Sequence, residues 1–232
     1  MRRAEGNPGI LEIGPGIGVL TKPLSEQAEK VVAIELDERV LPVVADYAPS
    51  AEVIHADALE TDWRAILSAL PQPAAIVSNM PYNISASLLT RVASVKDQIS
   101  KAVLMMQKEV GDRVLAEPNN SARGSLSVFL QAQFEISKVC AVPPGAFMPP
   151  PKVDSVVLEL IPRPGPDRPD FFKFVRGGFQ QPRKTLWNNV AAQGMKREQF
   201  DRFVEATGHP ATVRPHQLTL EDWETLFSSL SG

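Results

Sequence analysis

The chain has 232 residues, 44% of them hydrophobic and 22% charged, which is enough apolar side chain to fill a sizeable core and excludes a disordered chain or a stapled mini-protein. Twenty-four basic against 27 acidic side chains leave a formal charge of −3, so any polyanionic partner must be held by a local patch rather than by the overall field. One cysteine, Cys140, excludes an intramolecular disulfide; with His55, His209 and His216 as the histidines, no zinc-ligand spacing arises and no metal is expected.

Taken in chain order, short β-branched runs alternate with longer helical patterns, the mark of βαβ units around a parallel sheet. Strands are expected at Ile10–Ile13, Val31–Glu35, Glu52–His55, Ala74–Ser78 and Ala102–Met106, each apolar nearly throughout, as strands covered by helices on both faces must be. The segments Val19–Ala28, Glu38–Tyr47, Asp62–Leu70, Ile84–Ser94 and Lys108–Leu115 have helical length and spacing. The expected fold is α/β, a doubly wound Rossmann-like sheet. Two more strands, Phe134–Val142 and Ser155–Ile161, flank the stiff stretch from Val142 to Pro151, which cannot pair inside a sheet because proline lacks the donor. After Pro162-Arg-Pro-Gly-Pro166, a linker by composition, the pattern becomes helical only: Phe200, Phe203, Val204 and Thr207 repeat at helical spacing before Gly208, and Thr219 with Asp222 forms a capping box ahead of Leu220, Trp223, Leu226, Phe227 and Leu230. A domain at residues 1–162 and a small all-helical domain at 163–232 follow. The first carries 14 basic and 19 acidic side chains, the second 10 and 8, so the second repels phosphates less. No apolar run approaches about 18 residues, and Met1-Arg2-Arg3 leads into Gly and Pro rather than a signal-peptide core. A soluble, cytoplasmic protein with no membrane partner is expected.

The sharpest segment is Leu11-Glu-Ile-Gly-Pro-Gly-Ile-Gly-Val-Leu-Thr21, a strand entering a glycine turn and then a helix. Gly14, Gly16 and Gly18 let a ligand approach the backbone. The spacing is G-x-G-x-G, with Val19 where a dinucleotide site has its third glycine, and Pro15 removes a donor that a pyrophosphate would use; the turn suits a ligand without phosphates. Glu35 ends the second strand, where an acid accepts from ribose hydroxyls when it is not simply solvated. Asp57, just after the third strand, is placed either to accept from an adenine amine or to cap the next helix. Ser78-Asn-Met-Pro-Tyr-Asn-Ile84 ends the fourth strand, at the carboxyl edge where open α/β sheets hold substrates. There the Asn79 side-chain carbonyl and a neighbouring backbone carbonyl can accept both hydrogens of an aryl amine, Pro81 fixes the turn, and Tyr82 offers a ring to stack on a base.

These segments resemble S-adenosylmethionine-dependent methyltransferases, and specifically the ribosomal RNA adenine N6,N6-dimethyltransferases, along essentially the whole chain. Glu12-Ile-Gly-Pro-Gly-Ile-Gly18 resembles the family's methionine-side loop, Ala33-Ile-Glu-Leu-Asp37 its ribose-binding strand end, Ala56-Asp-Ala58 its adenine-binding turn, and Asn79-Met-Pro-Tyr82 its amine-binding motif. Phe147-Met-Pro-Pro-Pro-Lys-Val-Asp-Ser155 resembles the loop whose Phe stacks on the target base, while Gln107–Arg113, Gly124–Ser127 and Gln181–Leu186 resemble segments of the small-subunit enzymes more than of the erythromycin-resistance ones. The resemblance implies S-adenosyl-L-methionine as cofactor, held by Glu12, Gly14, Gly16, Gly18, Glu35, Leu36, Asp57, Ala58 and Asn79, and a catalytic set of Asn79, Met80, Pro81, Tyr82 and Phe147, with Met80 where leucine is usual, a volume-conserving swap. It also implies two adjacent adenines near the 3′ end of small-subunit ribosomal RNA as target, and the assembling small subunit as partner of a monomeric enzyme; a non-catalytic assembly factor and a large-subunit RNA methyltransferase are the alternatives. The family carries a segment with a Gln-x-Phe-Leu-type motif before its first strand, whereas the first strand expected here starts at Ile10, so a shortened N-terminus is expected. For docking, Arg176, Arg183 and Lys184, with no acid between them, are expected to contact RNA phosphates. Arg91, Lys96, Lys101, Lys108 and Arg113 form a second basic group, diluted by Asp97, Glu109 and Asp112.

Overall fold

The apolar runs of the first two thirds are strands in the computed structural model, which describes residues 7–81, 84–148 and 150–230. They are β1 (Gly9–Ile13), β2 (Lys30–Glu35), β3 (Glu52–His55), β4 (Ala74–Asn79) and β5 (Lys101–Gln107), followed by β6 (Phe134–Val142) and β7 (Ser155–Pro162). One seven-stranded sheet holds them in the order β3-β2-β1-β4-β5-β7-β6. The first five are parallel, with Ile10 beside Val31 and Ala75 in register, whereas β7 runs antiparallel to β5 and β6 antiparallel to β7. All of β1, and all of β2 except Lys30, is buried, which is why these strands read as continuous apolar runs. Strand order reverses between β1 and β4, and this switch point opens a crevice beyond the carboxyl ends of the two strands.

The connecting helices are α1 (Thr21–Gln27), α2 (Leu41–Tyr47), α3 (Trp63–Ala69), α4 (Ser85–Ser94) and α5 (Lys108–Leu115). Asp62 caps α3 by accepting from the Ala65 N–H. Residues 38–40 form a 3-10 turn instead of continuing α2 back to Glu38, because Asp37 accepts from the Arg39 N–H and closes a tighter first turn. Gly111, in α5, allows that helix onto β7: a Cβ there would lie 2.2 Å from a Val156 methyl.

The chain divides into two compact units, one running to Gly111 and including Phe134–Pro162, the other comprising Asp112–Gln133 and the chain from Arg163 onward. The segment 112–133, placed by sequence in the first domain, thus groups with the helices. Its helix α6 (Ser125–Gln131), not among the helices expected from sequence, puts Val128 into the helical core, and Phe129 lies edge-on to Phe172 at 4.7 Å. The buried Arg123 donates to Ala116 O and Gln131 Oε1, both at 2.6 Å, tying the segment's two ends together. The remaining helices are α7 (Pro169–Gly178), α8 (Leu186–Ala191), α9 (Arg197–Thr207) and α10 (Leu220–Ser228). They pack around Phe171, Phe200, Phe203 and Trp223, and Thr219 caps α10 in the expected box with Asp222. Asp222 also meets His209 at 2.9 Å. Among the described residues, no helix is long and apolar enough to cross a membrane and no cluster of His, Cys, Asp and Glu could hold a metal.

Candidate functional site

A cleft of about 350 Å³ opens at the switch point, within the range of small-ligand sites. Its floor is the end of β1 and β2. The β1 turn carries Gly14 at φ 70°, Gly16 at φ 55° and Gly18 at φ 87°. At Gly16 no described residue lies within 4 Å of where a Cβ would be, which leaves the backbone there open to a ligand; at Gly18 a Cβ would press on Val44 at 3.0 Å. The turn is fastened from β2: the Gly14 N–H donates to Ile34 O at 2.9 Å, and the Gly16 N–H donates to Glu35 Oε2 at 3.0 Å. Glu35 Oε1 accepts from the Asp37 N–H at 2.8 Å. The carboxylate of Glu35 therefore organises two loops while lining the cleft, and each of its oxygens retains acceptor capacity for a ligand hydroxyl.

Leu36, Asp57 and Ala58 line the same cleft. Asp57 Oδ1 accepts from the Leu59 N–H at 2.7 Å, a local turn rather than a helix cap, while Oδ2 accepts no hydrogen bond among the described residues. The Thr61 hydroxyl donates to Asp57 O, and Trp63 Nε1–H donates to Ala58 O at 2.9 Å, so the turn carrying Asp57 is pinned to α3. Asp37 lines the cleft too, but the Arg39 guanidinium, bonded to it at 2.6 and 2.8 Å, and the Arg39 N–H hold its carboxyl down to about 2. The sequence did not single out the apolar walls, Ile13, Ile34, Leu59 and Ile84; Ile13 and Ile34 belong to apolar strand runs, and Leu59 and Ile84 adjoin the Asp57 and Asn79 segments without a pattern of their own.

Glu12 lies inside β1 at 1% exposure and does not line the cleft. Its Oε2 and the Thr21 Oγ1 are buried without hydrogen-bond partners among the described residues. Burial pushes the Glu12 carboxyl up to about 7; the Thr21 hydroxyl opposes this without reaching hydrogen-bond geometry, and the negative charge of Glu35 adds to it.

At the end of β4, Asn79 is exposed and its side chain takes no hydrogen bond among the described residues. Ser78 Oγ donates to Ile13 O at 2.8 Å, and the Met80 N–H donates to Met105 O at 2.9 Å, so Asn79 is held between two fixed neighbours. Expected in the catalytic set, Met80 has its side chain 1% exposed in the core, because the residue after an edge-facing Asn79 turns inward; only its backbone can meet a ligand. Pro81 lines the cleft, but its carbonyl already accepts from the Ile84 N–H and the Ser85 hydroxyl. Tyr82 lies outside the described residues. Phe147 is half-buried in the loop from β6 to β7. That loop leaves the sheet beside Gln107, at the same carboxyl edge as Asn79, which pairs with Met105. Phe147 does not line the cleft itself.

Over residues 5–227 the sequence matches the family described as Ribosomal RNA adenine dimethylase. The chain belongs to the ribosomal RNA adenine dimethylase family. It is 39% identical over 228 residues to the Ribosomal RNA small subunit methyltransferase A of Geobacter metallireducens, covering 94% of this chain and 83% of that protein. It is 38% identical over 237 residues to the protein of the same name from Bacillus mycoides, covering 96% and 81%. Among solved structures, a dimethyladenosine transferase from Plasmodium falciparum superposes with a TM-score of 0.78 at 27% identity, covering 98% of this chain and 91% of that one. The 23S rRNA methyltransferase ErmE superposes with a TM-score of 0.74 at 23% identity over 98% and 93%, a likeness of fold.

Members of the ribosomal RNA adenine dimethylase family are S-adenosylmethionine-dependent methyltransferases, and the residues present fit that cofactor. The cleft combines apolar walls that suit a flat purine with the acidic side chains of Glu35, Asp37 and Asp57, of which Glu35 and Asp57 keep acceptor capacity suited to hydroxyls and an amine. Among the described residues no lysine or arginine lines it, so a diphosphate would find no counter-charge from them.

In the helical unit, Arg176, Arg183 and Lys184 are exposed and make no ion pair among the described residues. The other basic group is largely committed to structure. Arg91 donates to Thr61 O and stacks on Trp63 at 5.4 Å, and Lys101 faces Glu159 at 3.5 Å.

Proposed function

We propose that this protein transfers methyl groups from S-adenosylmethionine to the N6 amines of two adjacent adenines near the 3′ end of small-subunit ribosomal RNA, in the cytoplasm, acting as a monomer on the assembling small subunit. The observation that carries the reading is the placement of Asn79: an exposed amide, without a hydrogen-bond partner among the described residues, at the carboxyl edge of β4, adjoining a cleft whose acceptors suit a nucleoside without phosphates. The names of the relatives favour the small subunit over the large one.

When bound, the cofactor supplies an electrophilic methyl group on a sulfonium. Glu35 accepts from the ribose hydroxyls and Asp57 Oδ2 from the adenine amine, with Leu36 and Ala58 packing on the ring and the Gly14–Gly18 turn carrying the methionine end. Asn79 Oδ1 accepts one hydrogen of the target amine. The second acceptor is the Met80 carbonyl, because Pro81 O is taken by Ile84 and Ser85. Two acceptors turn the nitrogen lone pair out of conjugation and toward the methyl group, so no strong base is needed; alignment is the chain's contribution. A base stacked in RNA cannot reach this edge and has to be flipped out, to be held between Tyr82 and Phe147. Arg176, Arg183 and Lys184 meet phosphates of the surrounding RNA.

The test is methyl transfer to undermethylated small subunits followed by mapping of the modified bases. Dimethylation of two adjacent adenines is expected. Modification of large-subunit RNA, or tight binding without transfer, would replace this reading by one of the two alternatives. Asn79→Ala should cut kcat by a hundredfold or more, by roughly the scale of losing one aligned transition-state acceptor, with S-adenosylmethionine affinity nearly unchanged. Lost cofactor affinity at normal kcat would remove Asn79 from its role.

A further inference from the structure

Arg183 and Lys184 stand on a stretch of backbone held more firmly than an exposed loop requires. Gln181-Pro182-Arg183-Lys184 closes a β-turn in which the Lys184 N–H donates to Gln181 O at 2.9 Å. Pro182 occupies the second position, where its ring presets φ, so Arg183 and Lys184 fall at the third and fourth. Residues 180–184 are all exposed.

The turn is fastened from within by Asn189, a residue of α8 at 4% exposure between the fully buried Leu186 and Val190. Its Oδ1 accepts from the Gln181 N–H at 2.8 Å, and its Nδ2 donates to Gln181 O and to Thr185 O, both at 3.2 Å. One side chain thus reads both backbone groups of residue 181 and closes the far end of the turn at 185. Burying an amide is costly unless its polar atoms are paired, and an apolar residue would fill this site without that requirement. Two of its three hydrogen bonds go to Gln181, the first residue of the basic turn, and the third to Thr185, the residue that joins the turn to α8.

We infer that Asn189 is a positioning residue for RNA: it holds the turn so that Arg183 and Lys184 reach phosphates without first losing backbone freedom. This rests on the reading of Arg183 and Lys184 as phosphate contacts. Two cations on a slack loop attract RNA as strongly at long range but fix no register, whereas a rigid turn converts the same charges into placement of the substrate.

The experiment titrates the full chain with undermethylated small subunits across a salt series, alongside S-adenosylmethionine affinity and melting temperature. Arg183→Glu with Lys184→Glu should weaken RNA binding and flatten its salt dependence, since phosphate contacts are lost. Asn189→Ala should weaken binding by about three- to tenfold, the order expected when side chains must be immobilised on binding, while the salt slope stays that of the parent because both charges remain. Asn189→Asp keeps the acceptor for the Gln181 N–H, loses both donations and should fall between. Pro182→Gly, which loosens the same turn from its exposed side, guards against misfolding of the core variants and should show weaker binding at parental slope, melting temperature and cofactor affinity. If charge reversal acts but Pro182→Gly and Asn189→Ala bind like the parent, the positioning role is wrong and the phosphate reading survives. If charge reversal itself changes nothing, the phosphate reading fails.

Discussion

Replacing Glu12 by Gln should abolish a pH dependence of stability that the parent carries between about pH 4.5 and 7. The carboxyl is 1% exposed, with Oε2 unpartnered, and burial raises it from 4.5 to about 7. The folded state therefore holds this proton more tightly than the unfolded chain does. As pH rises above about 4.5 the unfolded glutamate ionises first, and unfolding becomes progressively more favourable until the folded carboxyl also ionises near 7. The stabilisation present below the unfolded value is lost across that window, and at roughly 1.4 kcal/mol per unit the loss is on the order of 3 kcal/mol. Gln is neutral throughout and nearly isosteric, and its amide can donate to the orphaned Thr21 Oγ1. Other titrating groups are common to both proteins and cancel in the difference. Urea unfolding at intervals from pH 4.5 to 8.5, without cofactor, measures it. The variant should gain on the parent by a few kcal/mol as pH rises to 7 and hold that lead above, at equal m-values. Parallel stability curves would refute the argument, since they would mean that Glu12 titrates as an ordinary solvent-exposed acid.

Glu35→Ala removes the acceptor for the Gly16 and Asp37 N–H groups as well as for ribose; calorimetric affinity for S-adenosylmethionine should fall by roughly 1–3 kcal/mol, and an unchanged value would exclude Glu35 from the site. Gly178→Ala sets two effects against each other. Alanine is the better helix former by about 1 kcal/mol, but its Cβ would lie 2.4 Å from the ring of the fully buried Trp223. Overpacking of this kind costs roughly 1–3 kcal/mol, so the melting temperature should drop, and a rise would show that Trp223 can move aside at little cost.

The strands and most helices were legible in the sequence because strands buried on both faces must be apolar at every position, as β1 and β2 are, and because caps such as Thr219 with Asp222 act within one turn. The glycine turn was legible for a similar reason: its positive φ values are a local demand that few residues other than glycine meet. What the tertiary structure decided depends on residues far apart in the chain. Helix α6 and the segment 112–133 join the helical unit through Val128, Phe129 and Arg123, whose partners include residues more than forty positions away. That Asp57 bonds Leu59 and keeps one oxygen for the cleft, that Met80 turns inward, and that Pro81 O is already occupied follow from how β4 and the turn after β3 are seated. Asn189 carried no signal of its own, since an asparagine in a helix reads as a surface residue until folding places it between two buried side chains under a turn. The raised carboxyl of Glu12 is a property of depth, and depth is set only when the sheet and its helices close over β1.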